Sequence, residues 1–184
     1  MHFSTLQLSL PILQLRLQKN HLVKQSVWLI FYKKSTNIPT LTWSEAVDEA
    51  LCFGWIDSIK KTRDSESSIQ FFSKRKAKST WSKVNKAKIE VLIEKKLMQK
   101  AGFESIDIAK QNNSWKILDE VEALIIPKDL ELALTLNTDG MNHFLSLSKT
   151  IKKAMLHRLI FAKRDETRKN RITEIVQKCN TIEK

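Results

Sequence analysis

Glycine and proline are scarce in this chain, with three of each in 184 residues. A sandwich or barrel needs many tight turns, and so few glycines cannot supply them. Nor can they build a glycine-rich phosphate cradle. Cysteine is scarcer still. Cys52 and Cys179 stand far apart with no Cys or His at ligand spacing, so two thiols in a reducing compartment is a simpler reading than one long disulfide. The four histidines (His2, His21, His143, His157) show no HxH or HxxxH spacing, and no metal site or cofactor is expected. Long apolar runs are missing too. The leucine-rich stretch 5–17 is interrupted by Gln, Pro11 and Arg16, and it falls short of the roughly 20 apolar residues that span a bilayer. It also lacks a basic leader and a small-residue cleavage site. A cytoplasmic protein with no transmembrane segment is the expectation.

What is present suits a packed core: 42% hydrophobic residues, five Trp and eight Phe. The length fits one domain, or a small domain with an appendage. The expected class is helix-rich α+β. The net charge of +12 is uneven. Segment 60–88 holds ten Lys/Arg against two acids and segment 149–171 nine against two, while 99–148 holds four against eight. Two basic blocks around an acidic middle suit a polyanion such as nucleic acid. They equally suit solvated surface together with contacts between the acidic middle and the basic blocks.

Along the chain, Ser26–Lys34 reads as a strand with apolar residues on both faces, hence central in its sheet. Thr42 and Glu45 fit a capping box for a helix whose stripe is Ala46, Val47, Ala50 and Leu51. Gly54 ends it. Ile56–Arg63 and Ser68–Lys74 read as antiparallel strands joined at Asp64–Ser67. Thr80 is the expected cap of a helix from Trp81 to Leu97 with Val84, Ala87, Val91 and Leu92 inward. A shorter helix covers Phe103–Gln111. Residues 112–126 mark a boundary, and everything beyond reads as helix. Asp129–Leu136 is stopped by Asn137–Gly140. A helix capped by Ser148 turns Ile151, Met155, Leu159 and Ile160 inward. The last, capped by Asp165, carries Ile172, Ile175, Val176 and Cys179.

The segment Glu49–Ser58 (EALCFGWIDS) is the densest in unusual residues. Cys52 with His21 could make a nucleophile and base, but nothing places them together; an apolar-side Cys also suits a core. Asp57 could be a general base or a turn-stabilising carboxylate. Trp43 and Trp55, flanking the helix, read as core tryptophans or as a pocket wall. No catalytic residue is assigned. The best cluster is a binding one: Arg75, Trp81, Asn85 and Lys86, near a helix N-terminus that favours anions, together with Trp55 and Asp57. The competing reading has Trp81 stapling the helix to the core and the lysines solvated. Arg168 and Arg171 share a helix face and are expected to clamp the acidic 119–131 stretch.

Several segments together resemble the YdeI/OmpD-associated, or bacteriocin-protection, family: Trp28–Lys34 (WLIFYKK), Leu41–Val47 (LTWSEAV), Glu49–Asp57 (EALCFGWID), Phe72–Arg75 (FSKR), Ser79–Lys86 (STWSKVNK) and Glu166–Ile172 (ETRKNRI). The resemblance implies a YdhG-like α+β unit over 1–116, with a small antiparallel or mixed sheet, and a helical OmpD-associated-type unit over 117–184. It implies a bacterial protein linked to protection against bacteriocins and antimicrobial peptides. Residues 1–18 depart from the family pattern, because Pro11 would break a helix interior there. The expected function is a non-enzymatic binding protein for a small anionic ligand or a protein partner. The alternatives are a nucleic-acid-binding protein using the two basic blocks, or an enzyme holding a small anionic substrate with Trp55, Asp57 and Lys86.

Overall fold

The computed structural model describes residues 9–180 except Thr138. His2 and the start of the leucine-rich run lie outside the described residues, as does one residue of the Asn137–Gly140 stop. The chain divides into two compact units, one ending at Trp115 and one beginning at Lys116.

The first unit is α+β. It opens with α1 (Leu10–Asn20), and Pro11 lies in its first turn. There the missing N–H has no intrahelical acceptor to lose, so Pro11 starts the helix instead of breaking it. Strands β1 (Ser26–Tyr32), β2 (Trp55–Thr62) and β3 (Ser67–Lys74) form an antiparallel sheet in the order β1-β3-β2. The expectation of a central β1 is corrected: β1 is an edge strand, and β3 is central. Apolar residues on both faces report cover above and below a strand, not neighbours in its plane. Leu29 joins the helix-covered core. Ile30, on the other face, is buried beside its cross-strand partner Ile69. The β2–β3 turn is held by Asp64, whose Oδ1 accepts from the Glu66 and Ser67 N–H groups and the Ser67 hydroxyl.

Helix α2 (Trp43–Cys52) carries the capping box of Thr42 and Glu45, and buries Ala46, Val47, Ala50, Leu51 and Cys52. Gly54 follows with φ +71, a conformation that penalises any Cβ. A Cβ there would also lie 2.7 Å from the Ala101 carbonyl oxygen. Ala101 belongs to α4 (Lys100–Gln111), where Gly102 in turn leaves room for the Cys52 carbonyl oxygen. That same oxygen accepts the Gln99 N–H at 3.0 Å. Two glycines thus let the end of α2 and the start of α4 meet backbone to backbone.

Helix α3 (Lys83–Glu94) is capped by Ser82, not Thr80, and buries Ile89 and Leu92. Val84 and Val91, expected inward, are exposed. At 100° per residue Ile89 and Leu92 lie about 60° apart on one face, while Val84 and Val91 lie about 110–130° round from its middle. Val84, Ala87, Val91 and Leu92 instead line an apolar groove beside Asp48 and Glu49 of α2.

The second unit is helical: α5 (Asp119–Glu122), α6 (Lys128–Thr135), α7 (Gly140–Ser146), α8 (Lys149–Ile160) and α9 (Asp165–Asn180). Its core gathers Leu130, Leu134, Phe144, Leu156, Leu159, Ile175 and Cys179. Ser148 caps α8 as expected, through an Oγ that accepts the Ile151 N–H. Ile151 itself is exposed, and Leu156 takes the inward place. In α9, Asp165 is the first helical residue rather than the cap, and Ile175 and Cys179 are buried on the expected face.

Candidate functional site

The six nominated residues fall into separate environments. Trp55 is 2% exposed, and its Nε1 is buried with no hydrogen-bond partner among the described residues. Asp57 lies two residues on, and its Oδ2 accepts from Trp43 Nε1 at 2.9 Å and Gln70 Nε2 at 3.0 Å. Gln70 is thereby satisfied in the middle of the central strand, and Trp43, half exposed, is not a core tryptophan.

Arg75 and Trp81 are brought together. The guanidinium lies 3.5 Å from the Trp81 ring centroid and donates from Nη1 to the Thr80 carbonyl at 2.8 Å. Trp81 is 1% exposed, so this contact is interior. Burial pushes the guanidinium down to about 10, against the pull of the Asp57 charge. Trp115 continues the stack, 4.9 Å from Trp81, with the Lys86 ammonium 5.2 Å from its centroid. Asn85 is half-buried, and its N–H donates to the Ser82 hydroxyl. Asn112 Nδ2 and Ser114 Oγ both donate to the Ala77 carbonyl. These contacts pin the 75–82 loop, which is what a cation–π stack and converging donors do when desolvated.

Cys52 is buried in the core. Burial first, then the charges of Glu49 and Asp48, push its thiol up to about 12. A thiol held protonated is a poor nucleophile. His21 donates from Nδ1 to the Leu17 carbonyl at 2.9 Å and stacks on Phe53 at 5.1 Å.

Of the six, Trp55 lines a described cavity, one of about 730 Å³ at the junction of α1 and β1. Ligand sites commonly span about 300–1,000 Å³. Helix α1 contributes Leu13, Arg16, Leu17, Asn20 and His21, spaced i, i+3, i+4, i+7, i+8 along one stripe. Four consecutive residues of β1, Ser26 to Leu29, line it too. Side chains alternate between faces, so a cavity touching four in a row reaches the strand's unpaired edge. Phe71 adds an aromatic wall, its ring 5.0 Å from Trp28.

The charge of this lining is one-sided. Arg16 and Lys24 border it, and no Asp or Glu does. Among the described residues, neither cation makes an ion pair. Sequence reading misses this site because Pro11 and the crowded leucines obscure the α1 stripe. The signal was Arg16, Asn20 and His21 recurring beside Leu13 and Leu17.

The second basic block behaves differently. Arg168 grips Asp129 through Nε and Nη2, at 2.5 and 2.9 Å, the clamp expected from sequence. Lys153 pairs with Glu122 and Arg158 with Glu174, each at 2.7 Å. Arg171 donates to the Arg158 carbonyl. In the first block, Lys60, Lys61 and Arg63 on the hairpin and Lys76 and Lys78 in the pinned loop are exposed. No group of three or more His, Cys, Asp or Glu among the described residues could hold a metal ion. No described helix is long and apolar enough to cross a membrane.

No curated protein and no solved structure matches the chain. Residues 123–181, most of the second unit, match the bacteriocin-protection, YdeI or OmpD-associated family. Residues 13–105 match a domain of unknown function, DUF8412, which takes in α1, the sheet and the cavity. The match spans just over half of the chain, which therefore belongs to the DUF8412 family and carries a YdeI/OmpD-associated segment behind it.

Proposed function

We propose that the protein is a non-enzymatic, cytoplasmic binding protein that acts in bacteriocin protection, and that it binds a small molecule in the cavity between α1 and β1. The observation that carries this reading is that cavity, with an aromatic wall and two cations outside any ion pair among the described residues. Such a mix of apolar wall and few polar groups is what ligand sites offer. The link to protection comes from the family description matched by residues 123–181. The stacked Arg75–Trp81 pair fixes the loop that follows β3 and lines no part of that cavity. The nucleic-acid reading has three of the nine Lys/Arg of its second block, Lys153, Arg158 and Arg168, already held in ion pairs, where they have less counterion to release to a phosphate.

The test is expression in a bacteriocin-sensitive bacterium of the wild-type protein and of Ser26→Trp, which fills the cavity from an exposed position. Wild type is expected to raise survival at least tenfold. Ser26→Trp, with unchanged thermal stability, is expected to lose that gain. Full protection by the filled variant would contradict the cavity as the functional site.

A further inference from the structure

We infer that the ligand is a small organic anion with a flat apolar body, a carboxylate on an aromatic frame being the simplest form. This rests on the cavity reading above and names the chemistry the cavity selects. Its polar lining is rich in donors. Arg16 is half-buried and, like Lys24, outside any ion pair among the described residues. Guanidinium and ammonium groups donate and do not accept. No carboxylate of the lining stands ready to neutralise the two cations. A ligand that supplies anionic oxygens satisfies them with charge-assisted bonds, the stronger kind. A cationic ligand would face like charge.

The remaining walls set the body of the ligand. Leu13, Leu17 and Val27 are apolar, and Trp28 with Phe71 presents two tilted rings. Aromatic faces take a flat ring in offset or edge-on contact. A volume of about 730 Å³ holds a body of one or two fused rings with room for its charged group.

The test uses three probes of one shape on the full chain, by isothermal titration calorimetry: 2-naphthoate, 2-naphthamide and 2-naphthylmethylammonium. The carboxylate is expected to bind at least tenfold more tightly than the amide, and the ammonium most weakly. Arg16→Gln with Lys24→Gln is expected to bring the carboxylate down to the level of the amide. Circular dichroism and a thermal midpoint matching wild type show that the variant is folded. If amide and carboxylate bind alike and Ser26→Trp abolishes both, the cavity reading stands and the anionic ligand is overturned. If none of the three binds, both fall.

Discussion

The α1–β1 cavity and the helical unit use their charges in different ways. Around the α1–β1 cavity, Arg16 and Lys24 stand outside any ion pair among the described residues. In the helical unit, Lys153, Arg158 and Arg168 each hold a carboxylate of the same unit. In the helical unit, cations hold nearby acids and fasten helices together. At the cavity, the exposed Lys24 and half-buried Arg16 are left to solvent. Both units close by side-chain packing, and both bring backbone close at a glycine: Gly54 and Gly102 in the α+β unit, Gly140 against the Leu134 carbonyl oxygen in the helical unit.

Substitutions can break or sharpen this contrast. The largest expected effect is in the helical unit: Phe144→Ala removes a ring that is 1% exposed and should cost about 4 kcal/mol, read by urea denaturation with helical circular dichroism. Next is Gly102→Ala in the α+β unit, whose new methyl overlaps the Cys52 carbonyl oxygen. Backbone cannot step aside as a side chain can, so about 3 kcal/mol is expected by the same measurement. Thr42→Ala, which removes half of a capping box, should cost about 1 kcal/mol.

Smaller still is Asp129→Asn, because both partners of the Arg168 pair are partly exposed and solvent screens them; about 0.5–1 kcal/mol is expected at neutral pH. Its pH dependence has a definite sign. The hydrogen bonds from Arg168 hold the Asp129 carboxyl below its usual range. The contribution is then complete above the unfolded value of about 3.9 and is lost as pH falls through the lower folded value. Wild type and Asp129→Asn should therefore converge in acid, by denaturation midpoints taken at stepped pH. The smallest effect is Arg16→Gln, within about 0.5 kcal/mol of wild type, since it breaks no ion pair. A large loss there would make Arg16 structural and erase the contrast.

Much of the fold was legible where local chemistry decides it. Thr42 and Glu45 marked the start of α2, Gly54 its end, and Asp64 the hairpin, since each acts within a few residues of itself. Position in the sheet was not legible, because β1 and β3 are both apolar enough to be central and only pairing decides between them. The α3 face went astray because Val84, Ala87 and Val91 form an apolar stripe of their own, which lines a groove while Ile89 and Leu92 reach the core. The Arg168 clamp was legible because opposite charges had few other partners. The candidate site was legible in part. Trp55 was named, but its neighbours in the cavity come from α1, whose stripe hid behind Pro11 and the leucines. Arg75 and Trp81, named together as binding residues, do meet, but Trp81 is buried and Lys86 lies over Trp115, so the pair braces the loop.

The chain has five tryptophans, Trp28, Trp43, Trp55, Trp81 and Trp115, and so five indole N–H signals. A titration of ¹⁵N-labelled protein with 2-naphthoate, followed through those five signals, separates the cavity from the Arg75–Trp81 stack directly. Trp28 and Trp55 line the cavity and are expected to shift with saturation, while Trp81 and Trp115 stay in place. Shifts at Trp81 and Trp115 with Trp28 and Trp55 unmoved would contradict the cavity as the binding site.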